Sequence, residues 1–515
     1  MRSEKLFRPF IRLMFNSHCG GIRLDEVSLM KRIGALLLCG ILLLPAAGAS
    51  GTPWPAWAAE ALAWGREKSV SRAFLATPGQ RLTRGAVARL LYESAGQPAA
   101  HEECPFSDVS EKDAAAVGWA AGQGYLTGVG DGTYEPGRPV TRQEFAAILW
   151  RQAGTPEVPV QGLERFGDAG TVSEWARDAV LWCQQAGVMA GRSGDKLAPE
   201  DTITTAEALV MLERAAGLPD VGQLRDDLEI LAAHHRPVGS QGEADAVRYL
   251  RDRFEEMGYS VTLQPYTDGQ GRTGHNVAAV KAASVPDADI LVLSAHHDSV
   301  PTAYGANDNA SGVAALLYTA EALRNVPTDT EVRFLSFTDE ENGKNGSRTY
   351  TASLTEEERT RIVGAIQFDM LGGLGSTGTL VCTVDGEANW VSDLLQKKNP
   401  GLESGVETAS DHTSFQLSGI PAVLLMQRGR GYLYHSAADT AEQLDLYAIA
   451  AAADSAEAAA EEICSADTPS YRALAREQGE RSAYRQTRQN MIYFGSSRAD
   501  TEAYIGAAGE PVGAS

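Results

Sequence analysis

Basic residues are the minority charge in this chain of 515 residues: 45 Lys and Arg stand against 67 Asp and Glu, a formal net charge of -22 at pH 7. That balance argues against a nucleic-acid partner, because phosphate binders gather Lys and Arg onto one face to displace counterions. Cysteine is also scarce. Cys19 and Cys39 fall in the N-terminal leader, while Cys104, Cys183, Cys382 and Cys464 lie far apart with no CxxC pair. A thiolate zinc site is not expected, and no disulfide pairing can be assigned. The apolar run from Ile33 to Leu44 is shorter than the roughly 20 residues that span a bilayer. It follows Lys31 and Arg32 and precedes Ala47-Gly48-Ala49, the basic, apolar, small-residue order of a secretory signal. Residues 1–49 are therefore read as leader and signal peptide, with Met30 a natural start, and export is expected.

What is present is ordinary globular composition, 43% apolar and 22% charged, in a chain too long for one hydrophobic core. Internal similarity divides it. TRGAVARLLYESAG from Thr83, TRQEFAAILWRQAG from Thr141 and TTAEALVMLERAAG from Thr204 recur at a spacing of roughly 60 residues. Each opens on a Thr suited to N-capping, carries apolar residues at helical spacing and ends on Gly, so each predicts a capped amphipathic helix. The intervening segments repeat too: PFSDVS with WAAGQGYLTGVGDGTYEPGRPV is echoed by RFGDAG with WCQQAGVMAGRSGDKLAPEDTI. Over residues 55–218 these three units resemble surface-layer homology (SLH) domains, the copy from Trp57 to Gly96 being the most diverged. The resemblance implies non-covalent retention on a secondary cell-wall polysaccharide at a bacterial surface. It also implies that the basic residues of the repeated motif, Arg84 and Arg142, hold an acidic sugar; the third copy has Thr205 there.

Beyond Pro219–Gly222, read as a linker, the pattern changes. Helices over Asp226–His234, Glu243–Met257 and Gly312–Arg324 alternate with strands over Ser260–Tyr266, Asn276–Lys281, Ile290–Ser294 and Glu331–Phe337. Such alternation predicts an α/β fold for residues 223–467, a mostly parallel mixed sheet sandwiched by helices, behind a small, largely helical repeat domain. Ligands of such sheets collect where strands end. Residues 468–515 lack sustained apolar periodicity and are expected to be a disordered tail.

Chemistry-bearing residues cluster at those strand ends. ILVLSA delivers His296, His297 and Asp298; a Gly-rich loop leads to Asp308 in NDNASG; VRFLSFT ends in Asp339, Glu340 and Glu341; IVGAIQF ends in Asp369; a late loop presents Tyr434 and His435. Imidazole and carboxylate are the ligands zinc takes when a position stays open for water, and two metals need a carboxylate to bridge them. The set divides into His296 and Asp369 for one zinc, Glu341 and His435 for another, with Asp308 shared. Glu340, beside a ligand, is placed as general base. Asp298 is read as the orienting partner of His296, and Asp439 as that of His435. His297 alternates to the opposite face of its strand and is read as a neighbour, not a ligand.

AHHDSV, GANDNASG, FTDEENGKNGS, QFDMLG, SDHTSF and YHSAADT, with RPVGSQGE near Arg236, resemble in order the signatures of the co-catalytic dizinc aminopeptidases, whose relatives include glutaminyl cyclases. The resemblance implies hydrolysis of N-terminal peptide bonds of a peptide substrate. It implies that Tyr434 stabilises the oxyanion and that Asp411 and His412 lie beside the substrate pocket. A single-zinc glutaminyl cyclase and a non-catalytic wall-binding protein are the rival expectations.

Overall fold

A computed structural model describes residues 53–98, 103–156, 158, 162–192, 195–429, 431 and 433–493; the leader and signal read over 1–49 lies outside them. Two separate hydrophobic cores organise the chain, one drawn from Ala58 to Leu212 and one from Val221 onward.

The first core is built by helices α1 (Ala59–Glu67), α2 (Arg84–Ser94), α3 (Glu111–Gly122), α4 (Arg142–Gln152), α5 (Arg177–Gln185) and α6 (Thr205–Ala216). Thr83, Thr141 and Thr204 each accept a backbone N–H as N-caps of α2, α4 and α6. Glu144 and Glu207 complete capping boxes, whereas the first copy has Ala86 at that position and cannot. The residue before each cap joins a closed cycle. Leu82 N–H donates to Ile203 C=O (3.0 Å), Ile203 N–H to Val140 C=O (2.9 Å), and Val140 N–H to Leu82 C=O (3.0 Å). The three repeats thus share one pseudo-threefold centre.

The second core lies against one face of an eight-stranded sheet: β1 (Ser260–Thr267), β2 (Thr273–Lys281), β3 (Ile290–His296), β4 (Glu331–Phe337), β5 (Ile362–Phe368), β6 (Thr379–Thr383), β7 (Glu403–Val406) and β8 (Ala422–Gln427). The order is β1-β2-β4-β3-β5-β8-β6-β7. The centre, β4-β3-β5-β8, is parallel throughout, and antiparallel pairs β1–β2, β2–β4 and β6–β8 flank it. Alternation sorts β3: Leu291, Leu293 and Ala295 enter the larger core, Ile290 and Val292 the smaller one on the opposite face. Helices α7 (Gly222–Leu231), α8 (Gln241–Glu256), α9 (Ser311–Leu323), α10 (Asn345–Ser353), α11 (Trp390–Lys398), α12 (His412–Leu417), α13 (Leu446–Cys464) and α14 (Arg472–Tyr493) cover the sheet.

Two expectations need correction. Helix α7 opens at Gly222 and Val221 is buried in the second core, so the stretch read as linker is partly absorbed into the fold. The tail read as disordered over 468–515 holds α14 in its first part; residues 494–515 lie outside the described residues. The anchors of α14 are mostly polar and far away in sequence: Arg472 pairs with Asp289 (2.6 Å), Arg485 with Asp385 (2.8 Å), and Gln478 accepts from Trp390 N–H (2.8 Å), with Ala475 alone among the helix's described residues entering the second core. An apolar stripe was the wrong signal to seek.

The two cores meet where Trp182 of α5 donates to the Tyr447 hydroxyl (3.2 Å), the rings edge-on at 6.4 Å. Cys104, Cys183, Cys382 and Cys464 are all free thiols. Among the described residues no helix is long and apolar enough to cross a membrane.

Candidate metal centre

Parallel strands bring their carboxyl ends to one edge, and six chemistry-bearing side chains gather there, five of them metal donors. His296 closes β3, Asp369 follows β5 by one residue, Glu340 and Glu341 lie in the loop after β4, Asp308 precedes α9, and His435 stands in the loop after β8. The five donors form two triads sharing one carboxylate: His296, Asp308 and Asp369, and Asp308, Glu341 and His435. His296 Nε2 lies 3.3 Å from Asp308 Oδ1 and 3.4 Å from Asp369 Oδ1. His435 Nε2 lies 3.1 Å from Asp308 Oδ2 and 3.0 Å from Glu341 Oε2.

These residues fit a metal pair. Bonds of about 2.1 Å to a tetrahedral ion put neighbouring donors roughly 3.4 Å apart, close to the spacings above. His296 Nε2, Asp369 Oδ1, Glu341 Oε1 and His435 Nε2 are buried without hydrogen-bond partners. Buried polar atoms are seldom left so, since each orphan costs about 1–3 kcal/mol. Electrostatics agree. Burial pushes Glu340 well above the usual carboxylate range, with Asp411, Asp369 and Asp298 adding to it against His296. Burial and Asp308 likewise raise Glu341. Burial opposes a charged His296, but Asp369, Asp298 and Asp308 outweigh it and raise the imidazole well above its ordinary value. A dry cluster with surplus negative charge is a cation site.

Several neighbours hold the donors in place. The Asp298 carboxylate lies 3.4 Å from His296 Nδ1 and accepts the N–H groups of Glu340 (3.1 Å) and Glu341 (3.3 Å), so one side chain ties two strand ends together. Ser410 donates to Asp369 Oδ2 (2.7 Å), leaving Oδ1 for an ion. Asn309 donates to Phe368 C=O (2.9 Å) and accepts from Met370 N–H (3.3 Å), bracketing Asp369 from the Asp308 loop. Neither Ser410 nor Asn309 was singled out in the sequence, because their partners lie far away in the chain; the Asn beside Asp308 was the one available signal. Met370 and His435 sit at φ 54° and 55°, left-handed backbone that non-glycine residues adopt at a cost of order 1–3 kcal/mol.

Three placements differ from the sequence reading. Asp439 was expected to orient His435; its carboxylate instead accepts the N–H groups of Asn307 (2.6 Å) and Asp308 (3.2 Å), fixing the shared ligand's backbone. Asp411 and His412 were expected beside the substrate pocket, yet both are fully buried. His412 Nε2 lies 2.9 Å from Glu407 C=O, and burial lowers the ring to about 4, so it is neutral. Asp411 lies behind the site, accepting from Gln367 (3.4 Å), and burial raises it to about 7. Facing the cleft are Ser410, Glu407, Met370 and Met426, which line a cavity of about 30 Å³ with Glu340 and Tyr434. The Tyr434 ring stacks on His435, centroids 3.7 Å apart. His297 stays out of both triads, its Nδ1 2.9 Å from Ser336 Oγ. Asp339 accepts from Asn342 (2.6 Å) and Asn345 (2.8 Å), which bind its loop.

The repeat arginines are unequal. Arg142 is 3% exposed, and its guanidinium donates to Leu197 C=O (3.1 Å), Ala190 C=O (2.7 Å) and Glu207 (3.0 Å). Arg84 is partly exposed over the Tyr134 ring, 4.4 Å from its centroid. It opens on a cavity of about 240 Å³ lined also by Arg138, Arg151, Glu144 and Trp175. Thr205, at the third position, is buried against Gln80.

Residues 276–460 match the model of Peptidase family M28, and residues 105–146 and 165–209 match that of the S-layer homology domain. A segment similar to M28 peptidases thus follows two segments similar to S-layer homology domains. Two of the three repeats read from sequence fall within the matched ranges; the diverged first copy does not. Among curated proteins, aminopeptidase YwaD of Bacillus subtilis is 35% identical over 169 residues, covering 31% of this chain and 36% of that protein. Leupeptin-inactivating enzyme 1 of Streptomyces exfoliatus is 32% identical over 209 residues, 38% of this chain and 45% of that protein. The matches thus span less than half the length of these relatives. Among solved structures, an aminopeptidase from Aneurinibacillus sp. strain AM-1 aligns with 25% identity and a TM-score of 0.45 over 47% of this chain and 94% of that one.

Proposed function

We propose that the M28-like domain is a two-zinc aminopeptidase, displayed on a bacterial cell wall by the repeats that precede it. The observation that carries the reading is the shared carboxylate: Asp308 offers one oxygen to each of two donor triads, in which His296 Nε2, Asp369 Oδ1 and His435 Nε2 have no hydrogen-bond partner. The relative named aminopeptidase YwaD supports the reaction, and the two donor triads support the metal. His296 and Asp369 would hold one ion, Glu341 and His435 the other, and Asp308 both. A bound zinc pair supplies a water acidified toward neutral pH and polarisation of the scissile carbonyl.

This chain's residues supply the rest. Glu340, buried among acids and therefore basic, takes the water's proton and returns it to the leaving amine. Asp298 keeps His296 in the tautomer that offers Nε2 and holds the Glu340 and Glu341 amides at once. Tyr434, at the cavity mouth beside His435, donates to the oxyanion. The acidic rim holds the substrate's free amine. On the wall side, the open groove at Arg84 supports binding of an acidic polysaccharide: Arg84 donates to the carbonyls of Tyr134 and Thr127 yet stays partly exposed beside Arg138 and Arg151, whereas Arg142 is buried with its donors engaged.

The test is metal content of the exported protein followed by turnover of aminoacyl anilides before and after chelation. Two zinc ions per chain and amine release restored by zinc are expected. A chain that binds zinc but releases no amine from any aminoacyl substrate overturns the reading, and cyclisation of N-terminal glutamine with one zinc replaces it by the cyclase.

A further inference from the structure

Among the described residues Arg236 is the largest fully buried side chain, 1% exposed, and the mechanism above leaves it unused. Its guanidinium donates to five backbone carbonyls from three segments: Leu231 and His234 (3.2 Å) after α7, His297 (2.6 Å) at the exit of β3, and Tyr304 (2.7 Å) and Gly305 (2.8 Å) before Asp308. Its own N–H donates to Ser299 Oγ (3.0 Å). Burying a cation costs several kcal/mol. Two carbonyls at the end of a helix do not need that outlay. The other three are informative: one belongs to the residue after His296, and two belong to the turn that delivers the shared carboxylate.

The turn is shaped to receive this contact. Gly305 has φ 64°, and a Cβ there would lie 2.4 Å from Asp308 C=O, 2.6 Å from Ser299 Cβ and 3.1 Å from Arg236 Nη2. Beyond the guanidinium lie Asp298, Asp439, Asp308 and Glu341, which favour its charge, while burial lowers it to about 10; it stays protonated at neutral pH.

We infer that Arg236 is a positioning residue of the metal centre, pinning the exit of β3 to the Gly305 turn so that His296 and Asp308 stand at bridging distance before an ion arrives. The inference rests on reading the centre as a zinc site. Only a planar fork reaches carbonyls in three directions at once; a lysine ammonium has three donors on a single point.

The experiment compares zinc affinity, by chelator competition on the full chain, of wild type, Arg236→Lys and Arg253→Lys. Arg253, partly exposed, pairs with the buried Asp227 (2.9 Å) in the same half and serves as a paired-arginine control outside the donor set. Zinc binding by Arg236→Lys weakened at least tenfold, with Arg253→Lys within twofold of wild type, is the expected result. Equal losses in both variants, or an Arg236→Lys affinity within twofold of wild type, would overturn the inference. Wild type that binds no zinc at all fails the reading of the centre instead. Metal-free wild type provides a second arm that depends on no variant's folding. Amides of Asn307, Asp308 and Ala310 are expected to exchange slowly without zinc. Exchange at free-peptide rates that slows only when zinc is added would show that the ion, not Arg236, sets the turn.

Discussion

Arg142 and His296 are both almost wholly buried and both sit among acids, yet they end differently. The guanidinium of Arg142 is spent on two carbonyls and Glu207. The Nε2 of His296 faces two carboxylates without a hydrogen bond, as do the atoms converging with it. A buried polar group with its bonds filled holds a fold together; a cluster with its bonds unfilled is waiting for something with charge. Arg84, half-open on its groove, stands between the two cases.

That contrast can be broken from either side. The largest effect belongs to the unfilled cluster: Glu340→Gln should keep both zinc ions, by metal analysis, while kcat falls about 10³-fold. Full activity in that variant would remove Glu340 as base. On the filled side, Arg142→Met should cost about 2–4 kcal/mol in urea unfolding by stranding the carbonyls of Leu197 and Ala190, Glu207 keeping its pair with Arg192, with kcat on aminoacyl anilides unchanged. A fall in kcat there would erase the distinction between the halves. His412 sharpens it by pH. The folded ring titrates near 4 against about 6.5 when unfolded, so its contribution is complete above pH 6.5 and is lost as pH falls toward 4. The loss is about 3 kcal/mol, read as the difference in urea midpoints between pH 7 and pH 4 that His412→Asn should lack. The smallest effect is at Ser410. Ser410→Ala should weaken zinc binding roughly tenfold while shifting the urea midpoint little, because one hydrogen bond is lost but an ion's ligand is set loose.

The ligand set could be read because each member ends a strand or opens a loop in a pattern that the alternation of helices and strands makes visible: β3 into His296, β5 into Asp369, the acidic run after β4. What escaped were partnerships across the chain. Asp439 is four residues from His435, and proximity in sequence suggested that pairing; the fold hands it to Asn307 and Asp308 instead. Ser410 meets Asp369 across 41 residues and Arg236 meets Gly305 across 69; neither carries a periodic signal. Helix α14 was missed for a related reason, since its attachments are ion pairs, a close backbone approach at Gly479 and the single small residue Ala475 rather than a sustained apolar stripe. The repeats were legible through their capping threonines, but which arginine kept an open groove depended on Glu207, 65 residues from Arg142.

In an open solenoid the outermost units are caps, and a diverged end copy can be trimmed at modest cost. Leu82, Val140 and Ile203 each give and take a hydrogen bond within a loop of three, so this assembly has no outermost unit. Trimming the chain to begin at Cys104 would strand the amide of Val140 and the carbonyl of Ile203 together, at opposite ends of the two repeats left behind. The copy that has drifted furthest in sequence therefore closes the triangle as much as the other two do.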